Sequence, residues 1–346
     1  MASRRASGGM SERDLLHTEI CDRLGCRYPI LLAGMGGVAR AELVAAVTAA
    51  DGYGFLGMVR EPPGLIAEEI DAVRARTPGP FGVNLIPAAT DPALLEDELA
   101  VCFEKRIPAL CFFWEVDPEA VARAKAAGCL VLYQVGSVAD AVAAERAGAD
   151  IVIAQGVEAG GHVRGTVSSL VLLPQVAAAV SVPVVASGGF ASGASLVAAL
   201  ALGAQGIHCG TAFLATRESF AHETHKQRIV AADSEDAVYT DLFAINWPPH
   251  SPVRVIGNSV TAALGDRPLG HHPDTLPREA IAEDAGRPIY RYSTDSPLRT
   301  TQGDLEALAQ FGGQVAGAIR DIPSAGDRVA EIVADARRTL ARLRDG

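Results

Sequence analysis

AGCLVLYQVGSVADAVAAERAGADIVIAQ, residues 127–155, holds one complete structural repeat. Gly128 ends one helical stretch and an apolar run, 130–135, follows almost at once. An Ala-rich helical stretch, 138–147, leads to Gly148 and a second apolar run, 151–155. In each case a glycine suits the left-handed cap that stops a helix, and the next strand begins within a few residues. The same rhythm returns at Leu202-Gly-Ala-Gln-Gly-Ile207. The runs are short and rich in Val, Ile and Leu without polar alternation, as expected of strands buried on both faces.

Working outward, the alternation extends across the first two-thirds of the chain. Strands are expected at 29–33, 54–59, 81–86, 109–114, 130–135, 151–155, 183–187 and 206–209. Helices are expected at 41–50, 64–75, 92–105, 118–127, 138–147, 169–180, 193–202 and 217–226. Alternating βα units imply a parallel sheet. Eight of them over roughly 200 residues fit a closed (β/α)₈ TIM barrel, with an open doubly wound sheet as the alternative. The expected division is a tail at 1–12, a barrel at 13–226, an irregular lid or substrate subdomain at 227–303, and C-terminal helices at 304–346. Within the lid, residues 245–300 are rich in Pro, His, Gly and Asp and too long for a plain loop. The last helices are expected at 303–320 and 324–344, parted at Pro323. They are expected outside the barrel or against the lid, with a homodimer through their apolar face left open.

The chain has 346 residues, 49% hydrophobic and 21% charged, which is globular composition with enough length for a sizeable core. Its formal net charge of −11 opposes binding to a nucleic-acid backbone or an anionic membrane. No stretch approaches the ~18 apolar residues of a membrane span. The N-terminal stretch has arginines but no apolar run after them, so it reads as neither a secretory nor a twin-arginine signal, and Met10 offers an alternative start. The six cysteines form no CxxC pair and read as reduced thiols of a cytoplasmic protein. Nothing calls for a metal.

In a TIM barrel the active site lies at the carboxyl ends of the strands. Those ends carry Gly34-Met35-Gly36-Gly37, Asn84, Gln134, Gln155, Ser187-Gly188-Gly189 and His208-Cys209-Gly210-Thr211. Phosphate sites in barrels commonly use the loops after strands seven and eight, where glycines let backbone amides approach an anion. Gly188-Gly189 and Gly210-Thr211 stand in those two places, which favours a phosphate site over two tight turns. Asn84 and Gln155 both donate and accept, which suits a ring with mixed polar edges such as a flavin or a nucleobase. His162 follows Gly160-Gly161 in a glycine-rich loop and is the candidate general base, placed by that loop over the barrel mouth.

Other groups read as structural. Glu158 is a supporting carboxylate, and Arg164 is either an anion contact or an exposed loop residue. His222-Glu223-Thr224-His225 lacks the spacing of a metalloprotease pair and reads as a solvated helix face. His271-His272 reads as exposed loop and Cys209 as a buried thiol. Trp247, Tyr239, Tyr290 and Tyr292 either wall a substrate pocket or fill the lid's core.

Taken together, Ala154-Gln-Gly-Val-Glu-Ala-Gly-Gly-His-Val-Arg-Gly165, Phe81-Gly-Val-Asn-Leu85, Val184-Val-Ala-Ser-Gly-Gly189, Gly206-Ile-His-Cys-Gly-Thr-Ala-Phe213 and Phe311-Gly-Gly-Gln314 carry a resemblance. The chain resembles the nitronate monooxygenases, formerly 2-nitropropane dioxygenases, clearly over 25–215 and loosely beyond. These are FMN-dependent barrel enzymes related to the flavin-containing enoyl-ACP reductases. The resemblance implies that Asn84, Gln155 and Gly160 contact FMN and that Gly188, Gly189, Gly210 and Thr211 hold its phosphate. It places Met35 and Gly36 beside the flavin ring, with Gln134, Gly161, Ser187, His208 and Gln314 completing the cofactor set. His162 matches the family's active-site histidine, which hydrogen-bonds a nitronate or takes a proton from a nitroalkane. Oxygen then completes conversion to a carbonyl compound and nitrite. The chain departs from the family at Gly34, where many members have proline, and at His208, where glutamine is common. Three readings follow: a nitronate monooxygenase using O2, an NAD(P)H-dependent FMN reductase of a quinone or enoyl thioester, and a non-catalytic flavin-binding protein.

Overall fold

The computed structural model describes residues 15–265 and 267–345; the tail expected at 1–12, with Met10, lies outside the described residues. Strands β1 (Ile30–Leu32), β2 (Tyr53–Gly57), β3 (Gly82–Leu85), β4 (Ala109–Phe113), β5 (Leu130–Val135) and β6 (Ile151–Gln155) pair in parallel, each with the next. A two-residue strand β7 (Gly161–His162) leaves the series. Strands β8 (Val184–Ser187) and β9 (Ile207–Cys209) then close the barrel onto β1. The barrel is therefore the closed eight-stranded form, not the open sheet.

The connecting helices are α2 (Ala41–Ala49), α3 (Pro63–Arg76), α4 (Pro92–Glu104), α5 (Pro118–Ala126), α6 (Val138–Ala147), α7 (Ser169–Ala179) and α8 (Gly193–Ala201), preceded by α1 (Glu19–Leu24). Their starts follow capping chemistry. Asp91, Asp117 and Ser137 accept from the first-turn N–H groups of α4, α5 and α6, and Pro92 and Pro118 open two of these helices. The glycines of the repeat are left-handed, with φ +84° at Gly128, +108° at Gly148 and +94° at Gly203.

Side chains alternate across each strand. Leu31, Phe55, Cys111, Leu132, Ile153 and Val185 fill the barrel interior. Leu32, Leu56, Val83, Leu110, Val131, Val152 and Ala186 pack outward beneath the helices. Both faces are buried, which is why the strands read as unbroken apolar runs.

Beyond β9 the structure differs from expectation in two places. The helix expected at 217–226 is instead a short α9 (Thr211–Leu214) and a later α10 (Glu223–Ala231). The N–H groups of Arg217, Phe220 and His222 are taken by Pro323, Val38 and Pro297, so this stretch is tied to its surroundings rather than to itself. The helix expected at 303–320 is likewise absent apart from a 3₁₀ turn, Gln314–Ala318. Its backbone bonds instead reach across to Ile281, Arg254, Ile256 and Glu158.

The segment read as irregular contains two antiparallel sheets. One orders β10 (Ala237–Thr240), β11 (Val253–Ile256) and β7. The other orders β13 (Arg287–Tyr290), β12 (Ala280–Asp284) and β14 (Gln302–Gly303). Because β7 belongs to the barrel's own β6 loop, the first of these sheets is joined to the barrel at the carboxyl end of β6.

After a short α11 (Ser259–Ala262), the chain ends in α12 (Ala325–Asp345). Val329, Ile332, Val333 and Ala336 form its buried stripe. This stripe lies against α8 and α2, so the final helix covers the barrel. A Cβ on Gly193 would fall 1.9 Å from Ala336 N, which shows how closely α8 and α12 approach. Asp335 accepts from Ala194 N at 2.8 Å and so caps α8 from α12. Among the described residues no helix is long and apolar enough to cross a membrane.

Candidate active site

At the carboxyl ends of the strands the inward-facing positions turn polar. Asn84 on β3, Gln134 on β5, Gln155 on β6, Ser187 on β8 and His208 on β9 are all buried and line one cavity of about 900 Å³. Gln155, Ser187 and His208 stand in register on adjacent strands. None of the five needs to carry charge. Burial pushes His208 down to about 4 from its ordinary 6.5, so its imidazole is neutral near pH 7.

Asn84, Gln155, Ser187 and His208 have local partners, with gaps. Asn84 Nδ2 donates to Cys111 O at 2.9 Å. Gln155 Nε2 donates to His162 O at 2.9 Å, while its Oε1 accepts from Arg164 N at 3.1 Å. Gln155 therefore fixes the loop that carries His162. Ser187 Oγ lies 3.3 Å from His208 Nδ1, and His208 Nε2 is buried without a partner. A buried nitrogen of this kind is costly unless a further group meets it.

His162 does not ride on a free loop, contrary to the sequence expectation. It sits on β7, paired with Val253 of β11. Its ring stacks on Trp247 with centroids 3.5 Å apart and planes 15° apart. The edge of Trp114, at 6.0 Å, and the ring of Phe311, at 5.8 Å, close the box. Nδ1 is buried and unpartnered, which leaves Nε2 as the nitrogen that meets the cavity. Desolvation by the box, with a smaller push from the Arg60 guanidinium, lowers His162 to about 3.

The glycine pairs also line the cavity. Gly188 and Gly189 have φ +86° and +85°, a backbone region that glycine enters at no steric cost. Their N–H groups make no hydrogen bond among the described residues. Gly210 precedes α9, and Thr211 Oγ1 accepts from Gly313 N at 3.0 Å. Gly160 is required by proximity, since a Cβ there would lie 2.4 Å from Gly313 N. Met35, Gly36 and Gly161 also line the cavity. Gln314 does not: it is solvent-exposed and outside the lining, because the 3₁₀ turn directs it away. The other members of the expected set are brought together.

These features fit a flavin mononucleotide: free backbone donors for a phosphate, neutral amides for a ring's polar edge, and an unpartnered buried His208 nitrogen.

The lesser candidates are also placed. Glu158 accepts from Ser169 N and Oγ and holds the start of α7. Arg164 lies 3.7 Å from Asp140 and over Trp114, and does not line the cavity. His225 is fully buried, with Nε2 2.9 Å from Phe311 O, so of that motif Glu223 and Thr224 are exposed and His222 is half-buried. His271 and His272 are half-buried and bond within their own loop. Burial pushes the Cys209 thiol up to about 12. Of the aromatics in the C-terminal segment, Trp247 lines the cavity, whereas Tyr292 packs against the cluster of Leu242, Phe243, Val253 and Val255.

Sequence reasoning missed Arg60 and Trp114. Both lie just past a strand end with positive φ, +59° and +84°, which is uncommon for residues with a side chain. Nothing local in the sequence marks that conformation.

The profile of the family described as Nitronate monooxygenase matches residues 17–335. A (3aS,4S,5R,7aS)-5-hydroxy-7a-methyl-1-oxo-octahydro-1H-indene-4-carboxyl-CoA dehydrogenase of Rhodococcus jostii is 31% identical over 351 residues, 95% of this chain and 98% of its own. A probable nitronate monooxygenase of Staphylococcus haemolyticus is 32% identical over 272 residues, 66% of this chain and 76% of its own. Among solved structures, FabK from Thermotoga maritima superposes with TM-score 0.80 at 30% identity, covering 95% of this chain and 99% of that one. Nitroalkane oxidase from Streptomyces ansochromogenes gives TM-score 0.77 at 30% identity, covering 94% and 99%.

Proposed function

The chain belongs to the nitronate monooxygenase family and is an oxidoreductase, and on that premise we propose that it oxidises alkyl nitronates with FMN and O2. The products are a carbonyl compound and nitrite. The observation that carries this reading is the state of His162, a neutral imidazole held in an aromatic box with Nε2 toward the cavity. A base held near 3 is poorly matched to abstracting a proton from carbon at neutral pH. A neutral imidazole N–H is well matched to hydrogen-bonding an oxygen of a substrate that arrives already deprotonated.

FMN, when bound, supplies the electron acceptance and the reactivity toward O2. The N–H groups of Gly188 and Gly189, with Gly210 and Thr211, would hold its phosphate. Asn84, Gln134 and His208 would meet its polar atoms, and Met35 and Gly36 would border its ring. Gln155 holds the His162 loop by two hydrogen bonds and so sets where the imidazole stands. Trp247 and Phe311 exclude water from that side of the ring.

A second reading is an oxidoreductase acting on a thioester. It is favoured by one observation: the carboxyl-CoA dehydrogenase relative aligns over 95% of this chain, against 66% for the staphylococcal nitronate monooxygenase.

The test is an anaerobic visible spectrum of the purified protein before and after NADH, followed by ethylnitronate with oxygen-uptake measurement. A flavin that NADH leaves oxidised, with ethylnitronate-dependent oxygen uptake, supports the first reading. Prompt bleaching by NADH moves the assignment to a reductase. Absence of flavin even after reconstitution with FMN sinks both.

A further inference from the structure

The cavity carries an arginine that the flavin and the histidine leave unexplained. Three guanidinium groups line it: Arg40, Arg60 and Arg287. Arg40 pairs with Glu61 at 2.8 Å and Arg287 with Asp295 at 3.0 Å. Arg60 has no carboxylate within ion-pair distance among the described residues. The nearby carboxylates are already engaged: Asp295 also takes Asn246 Nδ2 at 3.0 Å, and Glu98 accepts from Glu61 N at 3.1 Å. The Arg60 side chain donates once, through NH1 to Asn246 O, and lies 5.2 Å over the Trp247 ring. Its other donors make no hydrogen bond and are not sealed off. Trp247 is also the residue on which His162 stacks, so the free guanidinium and the imidazole share one neighbour.

A half-buried cation without a counter-ion is costly, whereas a guanidinium fork matches a planar two-oxygen anion. We propose that Arg60 is the substrate-recognition residue of this cavity and that it binds a planar, delocalised oxyanion, a nitronate or a carboxylate, beside His162. The cavity is no general sink for anions, because Glu61, Glu69, Asp284 and Asp295 also line it. Selectivity for the anion is local to Arg60. The left-handed backbone at Arg60, φ +59°, turns the side chain out of the β2–α3 loop toward Trp247. This inference rests on the cavity being the substrate site, as the proposed function requires.

The experiment compares probes that differ in charge but little in shape. Benzoate and benzamide are titrated into wild type, Arg60→Met and Arg60→Lys by isothermal calorimetry, which needs no turnover. Flavin content and melting temperature are recorded for each protein. Wild type should bind benzoate at least about tenfold more tightly than benzamide, the scale of one charge-assisted bond. Arg60→Met should lose that ratio and Arg60→Lys should keep part of it. In oxygen-uptake kinetics, Arg60→Met should raise KM for ethylnitronate by about tenfold and change kcat less. A ratio near one in wild type, or an unchanged ratio in Arg60→Met, overturns the proposal. If Arg60→Met does not fold, a ratio in Arg60→Lys that is reduced but still above one supports it, since lysine keeps the charge but lacks the fork, and an undiminished ratio overturns it. A purely structural Arg60 would move the melting temperature and leave the ratio alone. If the ratio behaves as expected but no flavin binds, the anion site stands and the proposed function falls. If flavin binds and turnover proceeds with an unchanged ratio, the reverse holds.

Discussion

Replacing His162 by phenylalanine should flatten the acid limb of the protein's stability, and the size of the change follows from the aromatic box. The phenyl ring keeps the stack on Trp247 but removes the titrating nitrogens. In the wild type the imidazole is held at about 3 against an ordinary value of 6.5, chiefly because the box desolvates it. The sign follows from linkage. The native value lies below the unfolded one, so the unfolded chain binds the proton first. The stability contribution is complete above pH 6.5 and is lost as pH falls toward 3. At pH 5 the loss is about 2 kcal/mol, since pH 5 lies 1.5 below the ordinary value and each unit is worth ~1.4 kcal/mol. Between pH 7.5 and pH 5 the stability difference between variant and wild type should therefore move by about 2 kcal/mol toward the variant. The deciding assay is NMR of protein labelled with ¹³C-histidine, with the His162 signal assigned by its disappearance in the variant. The imidazole should still be neutral at pH 5, and urea melts at the two pH values should diverge as stated. A His162 midpoint near 6.5, or parallel melts at the two pH values, would refute the argument that the box keeps this ring uncharged.

Three further outcomes are expected. Trp247→Ala removes the partner shared by His162 and Arg60, so it should cost about 3 kcal/mol, the low end for an aromatic truncation. It should also return the His162 NMR titration toward its ordinary range; an unmoved midpoint would assign the desolvation to Trp114 and Phe311 instead. Gly160→Ala puts a Cβ 2.4 Å from Gly313 N and should separate the segment that donates to Thr211, costing about 1–3 kcal/mol. A melting temperature equal to wild type would count against that packing. In Gly189→Val the added Cβ meets nothing nearer than 3.8 Å, so its first effect is to force a β-branched residue to φ +85°. Flavin retained through gel filtration should fall, and equal flavin content would remove Gly189 from the phosphate site.

Much of the fold was legible because its signals are local. A glycine that stops a helix, a run of β-branched residues buried on both faces, and a capping Asp or Ser before a helical stretch all act within a few residues. The ordering of the strand ends then placed Asn84, Gln134, Gln155, Ser187 and His208 in one ring, because side chains alternate and strand ends share one face. The reading failed where chain segments bond to distant partners. The stretches 217–222 and 303–313 have helix-compatible composition, yet their N–H groups are claimed by Val38, Ile281 and Arg254. Gln314 belongs to a motif that reaches the cavity through Gly313, but its own side chain points outward.

By itself, then, the sequence determined the barrel, the polar ring at its mouth, the glycine pairs that line the same cavity, and His162 as the reactive candidate. Each depends on spacing and backbone preference, which a linear chain displays. Only the tertiary structure decided what kind of histidine it is. Trp247, Trp114 and Phe311 come from three separate segments to desolvate it, and two of them lie far along the chain from residue 162. The isolation of Arg60 was settled the same way, because a charge is left unpaired only when every carboxylate near it has been taken by something else. Local order follows from short-range sterics and hydrogen bonding, whereas protonation state and charge balance depend on which distant groups exclude water or supply a counter-charge.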